Sequence, residues 1–111
     1  MHNTHCFSKI IIIGCGNMGG ALARGLAQGT LVSADGITVT NTSQGKLDAL
    51  KAEYPAINVT TSNTEAVASV ADSAALIVLA VKPWIVGGVM DEIKPYLRPN
   101  HGVASMVGGM G

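Results

Sequence analysis

The apolar positions fall into short unbroken runs separated by segments of helical spacing. Lys9-Ile-Ile-Ile-Ile13 is a β-branched run ending at Gly14. Continuous rather than alternating apolar residues suit a strand covered on both faces, so this run reads as a buried parallel strand. From about Asn17 to Gln28 the spacing changes. Met18, Leu22, Gly25 and Leu26 follow i, i+4, i+7, i+8, one face of a helix. Ala21 and Gly25 are small enough to let that helix lie close on a sheet.

The alternation continues to the end of the chain. Ile37-Thr-Val-Thr40 is a second strand, entered from the turn Ala34-Asp35-Gly36. Ser43 can cap a helix from about Gly45 to Tyr54, with Leu47, Leu50 and Tyr54 on one face and Pro55 ending it. Ile57 to Thr60 is a short third strand, and Asn63 can cap a short helix carrying Ala66, Val67 and Val70. Ala74 to Val81 is apolar throughout and belongs at the centre of a sheet. Lys82-Pro83 breaks it. Ile85, Val86, Val89, Met90 and Ile93 mark a fourth helix that stops near Pro95, and Gly102 to Val107 is a fifth strand. Strands alternating with helices predict an α/β fold, a Rossmann-type doubly wound parallel sheet in a single domain.

Composition narrows the function classes. The 111 residues fit one domain, with 48% apolar and 13% charged residues, which excludes a disordered tail and a charged coiled coil. Seven basic residues balance seven acidic ones, so no broad electrostatic surface for nucleic acid or an anionic membrane is expected. No run reaches the roughly 18 apolar residues of a membrane span. Residues 1–8 read as a flexible leader without a secretory signal, and a cytoplasmic location is expected. The two cysteines, Cys6 and Cys15, make no disulfide framework. His2, His5 and Cys6 lack further ligands to complete a metal site, so no metal is expected. His101, near a Pro-Asn turn, reads as a surface residue. The chain stops at Gly108-Gly-Met-Gly111, where another helix would ordinarily begin, so residues 9–111 read as the first domain of a longer enzyme.

The chemistry gathers at the first loop. Gly14, Gly16 and Gly19 satisfy G-x-G-x-x-G, directly after a strand and directly before a helix. Gly14 permits the tight turn, Gly16 leaves room for a pyrophosphate, and Gly19 allows close packing of helix on strand. The helix dipole and loop amides then face the diphosphate. A glycine-rich turn without a ligand is the competing reading, and the strand–helix context argues against it. Walker-type binding is excluded because no Gly-Lys-Ser/Thr follows. A flavin stays open from the loop alone. Cys15 between the glycines would crowd phosphates as a nucleophile, so it reads as a small loop side chain.

The end of the second strand bears on which dinucleotide. An acidic residue there would bond the 2′-hydroxyl of NAD. This chain has Asn41-Thr-Ser43 and, one turn on, Lys46. Neutral donors and a cation favour NADP(H), with NAD(H) the alternative. Against that, Ser43 could simply cap a helix and Lys46 could be solvated.

Ile13 to Gly19 with Ala21 to Leu26, Ala80-Val-Lys-Pro83 after an apolar strand, and Asp91-Glu-Ile93 resemble pyrroline-5-carboxylate reductase. The likeness runs from about residue 8 to 110, and Ala80-Val-Lys-Pro83 is its more specific part. It implies reduction of 1-pyrroline-5-carboxylate to L-proline, the last step of proline biosynthesis, with NAD(P)H. It also implies a C-terminal helical domain, absent here, that forms a homodimer or higher homo-oligomer and supplies much of the substrate site. By resemblance the cofactor contacts are Gly14, Cys15, Gly16, Asn17, Met18 and Gly19, then Asn41, Thr42 and Ser43. Asn63, Ala80, Val81, Lys82, Pro83 and Gly108 complete them. Two departures stand out. Thr42 occupies the place where many bacterial members carry Arg, and Gly108-Gly-Met-Gly111 differs from the usual Ala-Gly segment. No catalytic residue is assigned. Lys82 is the best candidate for a polar contact near the reacting centre, and Trp84 reads as a packing residue at the cleft mouth. The alternatives are another NADP-dependent enzyme, of the 3-hydroxyacid or deazaflavin-dependent type, or a stand-alone dinucleotide-binding module.

Overall fold

Isoleucines 10 to 13 alternate between two faces of one strand, and the two faces carry separate cores. Ile10 and Ile12 pack with Ala23, Leu47, Leu50 and Ile57; Ile11 and Ile13 pack with Val67, Ile77, Leu79, Val89 and Ile93. A strand buried on both faces has no polar alternation to show, which is why the run is continuous.

The computed structural model describes residues 7–106. The strands are β1 (Lys9–Ile13), β2 (Ile37–Thr40), β3 (Asn58–Thr60), β4 (Ala75–Leu79) and β5 (His101–Ser105). They form one sheet in the order β3-β2-β1-β4-β5, and every neighbouring pair is parallel. The helices are α1 (Asn17–Gln28), α2 (Gln44–Glu53), α3 (Asn63–Ala68) and α4 (Pro83–Ile93). Residues of α1 and α2 cover one face, and those of α3 and α4 the other. The expected doubly wound sheet is therefore present, and its order reverses direction between β1 and β4.

The elements differ from the sequence reading in instructive places. In α1 the buried residues are Gly19, Gly20 and Ala23, whereas Ala21 and Gly25 face solvent. Close approach to the sheet therefore runs through the glycine motif itself. The fourth strand stops at Leu79, two residues before the apolar run ends: Ala80 still donates its N–H to the Ile13 carbonyl at 2.8 Å, and the chain bends at Val81. Strand β5 lies at the sheet edge and exposes Val103 to Ser105. His101 is not simply a surface residue. It is partly buried, with Nε2 2.8 Å from the Val70 carbonyl, and Nδ1 accepts the Arg98 N–H at 3.2 Å. With Nδ1 accepting, the ring proton lies on Nε2 and is donated to Val70. Among the described residues no helix is long and apolar enough to cross a membrane.

The two-faced core makes a direct prediction. Ile11 is fully buried and Val103 is 43% exposed. Ile11→Ala should cost about 2–5 kcal/mol, and Val103→Ala less than about 1 kcal/mol. Urea midpoints at unchanged slope would check both, and equal losses would contradict the burial pattern.

Candidate functional site: a cleft at the carboxyl edge of the sheet

The site is built by the turn that takes β1 into α1. Gly14 leaves the strand at φ +107°, in the left-handed region, and donates its N–H to the Thr40 carbonyl at 2.9 Å. A Cβ there would lie 2.6 Å from the Ala80 carbonyl oxygen. Gly19, one turn into α1, is tighter still, since a Cβ would lie 1.9 Å from the Gly14 carbonyl oxygen. Gly16 is different. It holds the N-cap position of α1, and a Cβ on it would meet nothing within 4 Å. Two glycines are thus demanded by packing and one by open space in front of a helix N-terminus. The three roles expected from the motif are separated by geometry.

That open space is a cleft of about 690 Å³. Such a volume suits a small-molecule or cofactor site. Its floor is the glycine loop with Ile13, Asn17 and Met18; one end is Thr40, Asn41, Thr42, Thr61 and Asn63; the other is Ala80, Val81, Lys82 and Pro83, with Trp84, Ile85 and Val89 of α4 beyond. The cleft lies across the reversal point of the sheet, beyond the ends of β1, β2 and β4, where open α/β sheets bind ligands. Of the expected contacts, Gly14, Gly16, Asn17, Met18, Asn41, Thr42, Asn63 and Ala80 to Pro83 come together here. Cys15, Gly19 and Ser43 do not line it, and Gly108 lies outside the described residues, as do His2, His5 and Cys6.

Cys15 turns inward instead. It is buried in the core beneath α1 and α2, and burial pushes its thiol above the ordinary range, partly opposed by the Arg24 and Lys46 charges. This matches its reading as a small loop side chain and gives it the environment of an inert thiol.

Two asparagines in the cleft are already engaged. Asn41 accepts the Cys15 N–H through Oδ1 at 3.2 Å and donates Nδ2 to the Ser43 carbonyl at 3.2 Å. It therefore ties the glycine loop to the segment after β2. Asn63 accepts the Thr40 hydroxyl at 2.5 Å through Oδ1 and donates Nδ2 to Glu92 at 3.0 Å. Thr40 is the fully buried polar residue of the described chain, and this bond is where its hydroxyl is satisfied.

Two capping expectations are corrected. Ser43 precedes α2, but its hydroxyl accepts no bond from the helix. Its carbonyl is instead held by Asn41. Asn63 is the first residue of α3 rather than its cap. The cap is Ser62, whose hydroxyl accepts the Glu65 N–H at 3.2 Å. The signal was present as Ser62-x-x-Glu65, the capping-box spacing. Trp84 stands at the cleft mouth as expected, but it is 77% exposed rather than packed.

The donors fit a diphosphate. No side chain caps α1, and its first turn holds no acidic residue. The amides at its start therefore keep their positive potential directed at the space in front of Gly16. Among the residues lining the cleft there is no carboxylate, and Lys82 is the cation. Among the described residues no cluster of His, Cys, Asp or Glu could hold a metal.

The sequence matches the family described as NADP oxidoreductase, coenzyme F420-dependent, over residues 9–109. The chain belongs to this family. Within it, the resemblance to pyrroline-5-carboxylate reductases is borne out. The chain is 39% identical over 102 residues to the Escherichia coli enzyme of that name, covering 92% of this chain and 36% of that one. A Coxiella burnetii pyrroline-5-carboxylate reductase superposes with a TM-score of 0.74 at 29% identity, covering 89% of this chain and 36% of the other. A Plasmodium falciparum pyrroline carboxylate reductase, solved with NADP bound, gives 0.69 at 30% identity over 89% and 33%. The chain spans 17–36% of the length of the curated relatives it matches.

Thr40, Thr61, Ile13, Ile85 and Val89 also line the cleft, beyond the residues expected from the sequence. Only the helical register of Ile85 and Val89 could have signalled any of them, since i and i+4 share a face.

The separation of glycine roles is testable by stability. Gly19→Ala should cost at least about 2 kcal/mol, because the clash is with backbone that cannot turn away. Gly16→Val should leave the urea midpoint nearly unchanged. The thiol supplies a second test. In a Cys6→Ser background, Cys15 should resist iodoacetamide near pH 8 in the native protein and react once urea unfolds it. Its folded pKa lies above its unfolded one, so the associated stabilisation is present below the ordinary thiol range. It is lost as pH rises through the folded value. Rapid native alkylation would contradict the burial.

Proposed function

We propose that this chain is the dinucleotide-binding part of an NAD(P)H-dependent pyrroline-5-carboxylate reductase, reducing 1-pyrroline-5-carboxylate to L-proline. The observation that carries the reading is the cleft itself. The glycine loop and Ala80-Val-Lys-Pro83, the two motifs of the resemblance, lie side by side and line the same cleft. The names of the relatives support the same substrate.

In this reading the loop amides before α1 hold the diphosphate, with Gly14, Gly16, Asn17 and Met18 giving backbone access. Cys15 and Gly19 serve by shaping the loop from behind. Asn41 and Thr42 face the adenine-side ribose, with Ser43 just outside. Ala80 to Pro83 border the nicotinamide end, and the resemblance adds Gly108 to the contacts. NADP(H) is favoured because the cleft has no carboxylate to repel a 2′-phosphate, and the Plasmodium relative holds NADP. Lys46 is exposed and does not line the cleft, so the preference rests on neutral donors rather than on a cation. NAD(H) is the alternative.

When bound, a reduced nicotinamide would supply the hydride that reduces the protonated imine carbon to the secondary amine of proline. The chain's contribution is placement. Ile13, Ile85 and Val89 give the cleft an apolar lining, and Lys82 is the one charged side chain in it. The apposition needed is about 3–3.5 Å between the reacting atoms. The reading also carries a cytoplasmic homodimer or higher homo-oligomer whose C-terminal helical domain completes the substrate pocket, and neither membrane nor nucleic acid as a partner.

The family's description favours one second reading, an NADP reductase using a deazaflavin as the other redox partner. Turnover of pyrroline-5-carboxylate against turnover of a reduced deazaflavin separates the two.

The chain should bind NADPH more tightly than NADH and turn over little by itself. The single tryptophan makes this measurable, because Trp84 emission should fall as NADPH fills the cleft. Gly16→Val should abolish the signal without unfolding the protein. No NADPH binding at millimolar concentration would sink the dinucleotide reading. Tighter NADH binding would sink the cofactor preference.

A further inference from the structure

Asn63 enters the cleft with its amide orientation decided by a residue outside the cleft wall. Its Oδ1 takes the Thr40 hydroxyl and its Nδ2 donates to Glu92 at 3.0 Å. A threonine hydroxyl can donate or accept, so it would tolerate either orientation of the amide. An ionised carboxylate only accepts. With the amide turned over, Oδ1 would face Glu92 oxygen to oxygen. Glu92 therefore determines that Asn63 keeps a second N–H, rather than an oxygen, available on its nitrogen.

The position of Glu92 supports this. Ile85, Val89 and Glu92 follow i, i+4, i+7 on α4, and the first two line the cleft. Glu92 continues that face towards the start of α3, where Asn63 lies. It is a charged group on the helix that walls the cleft, yet no carboxylate belongs to the lining itself.

We propose that Glu92 is a positioning residue for ligand binding, acting through Asn63 so that the cleft presents a donor to an acceptor oxygen of the dinucleotide, a phosphate or ribose oxygen. The proposal rests on the dinucleotide reading above. It predicts an effect of unusual sign. A bystander carboxylate near a polyanionic ligand repels it, and removing it should tighten binding. A carboxylate that orients Asn63 should weaken binding when removed.

The test is titration of NADPH into the full chain, read by Trp84 quenching, with thermal midpoints recorded in parallel. Glu92→Ala should weaken binding roughly three- to tenfold, the range of one lost hydrogen bond, with the midpoint little changed. Glu92→Gln, whose amide can donate as well as accept and so no longer excludes the turned amide, should recover only part of the lost binding, whereas full recovery would contradict the orienting role. Asn63→Ala should weaken binding similarly, and the double variant Asn63→Ala, Glu92→Ala should be no weaker than Asn63→Ala alone, since both act on one contact. Equal or tighter binding by Glu92→Ala, or additive losses in the double variant, would overturn the proposal while leaving the dinucleotide reading intact. Failure of the unsubstituted chain to bind NADPH would instead overturn that reading, and the ligand named here with it.

Discussion

A methyl group on Gly19 would sit 1.9 Å from the Gly14 carbonyl oxygen. Helix α1 therefore begins almost in contact with the end of β1, and much follows from that distance. Gly14 must turn through a left-handed conformation to leave the strand. Gly16 is then delivered to the N-cap with open space before it. Cys15 is rotated into the core, where its buried side chain anchors the loop from behind. The amides of the first turn face outward because the residue that would ordinarily cap them has no side chain.

The doubly wound sheet decides what meets that loop. Strand β1 sits between β2 and β4, so the ends of both neighbours flank the glycine turn. From β2 come Thr40 and Asn41; from β4 come Ala80 and Val81. These residues are far apart in sequence and become neighbours only through the parallel order. The polar ones, Thr40 and Asn41, are already held by hydrogen bonds within the chain. Asn41 joins the glycine loop to the loop after β2, and Asn63 joins β2 to α4. Such bonds reduce the ordering that binding must still impose.

The sequence made the strands, the glycine turn and much of the cleft legible because each has a local cause. Unbroken isoleucines reflect two covered faces, and G-x-G-x-x-G reflects sterics within six residues. What stayed hidden depends on distant partners. Ala21 and Gly25 looked like the sheet-facing small residues of α1, yet the helix turns its glycine-motif side inward because Gly19 permits closer approach to the end of β1. His101 looked like a surface residue near a turn, yet the Val70 carbonyl, 31 positions away, is its partner. Asn63 looked like a helix cap by composition, although the Ser62-x-x-Glu65 spacing already marked Ser62 for that role. Nothing in the order of residues could place Glu92 beside Asn63.

In the proposed dinucleotide reading, anion recognition in this cleft falls mainly to backbone amides, with Lys82 the charged side chain in the lining. This has a consequence for selectivity. Amides before a helix bind any diphosphate, so the loop cannot discriminate between dinucleotides. Discrimination must come from the ends. At the β2 end the side chains are neutral, and one of them, Asn41, spends both its oxygen and its amide nitrogen on backbone groups. A second N–H of that nitrogen, with the hydroxyl of Thr42, is then what this end can offer a 2′-phosphate. Such a site discriminates by hydrogen bonding rather than by charge, so its preference should be modest and only weakly sensitive to salt. A site with an arginine in place of Thr42 would behave differently, because a guanidinium adds both charge and a bidentate fork.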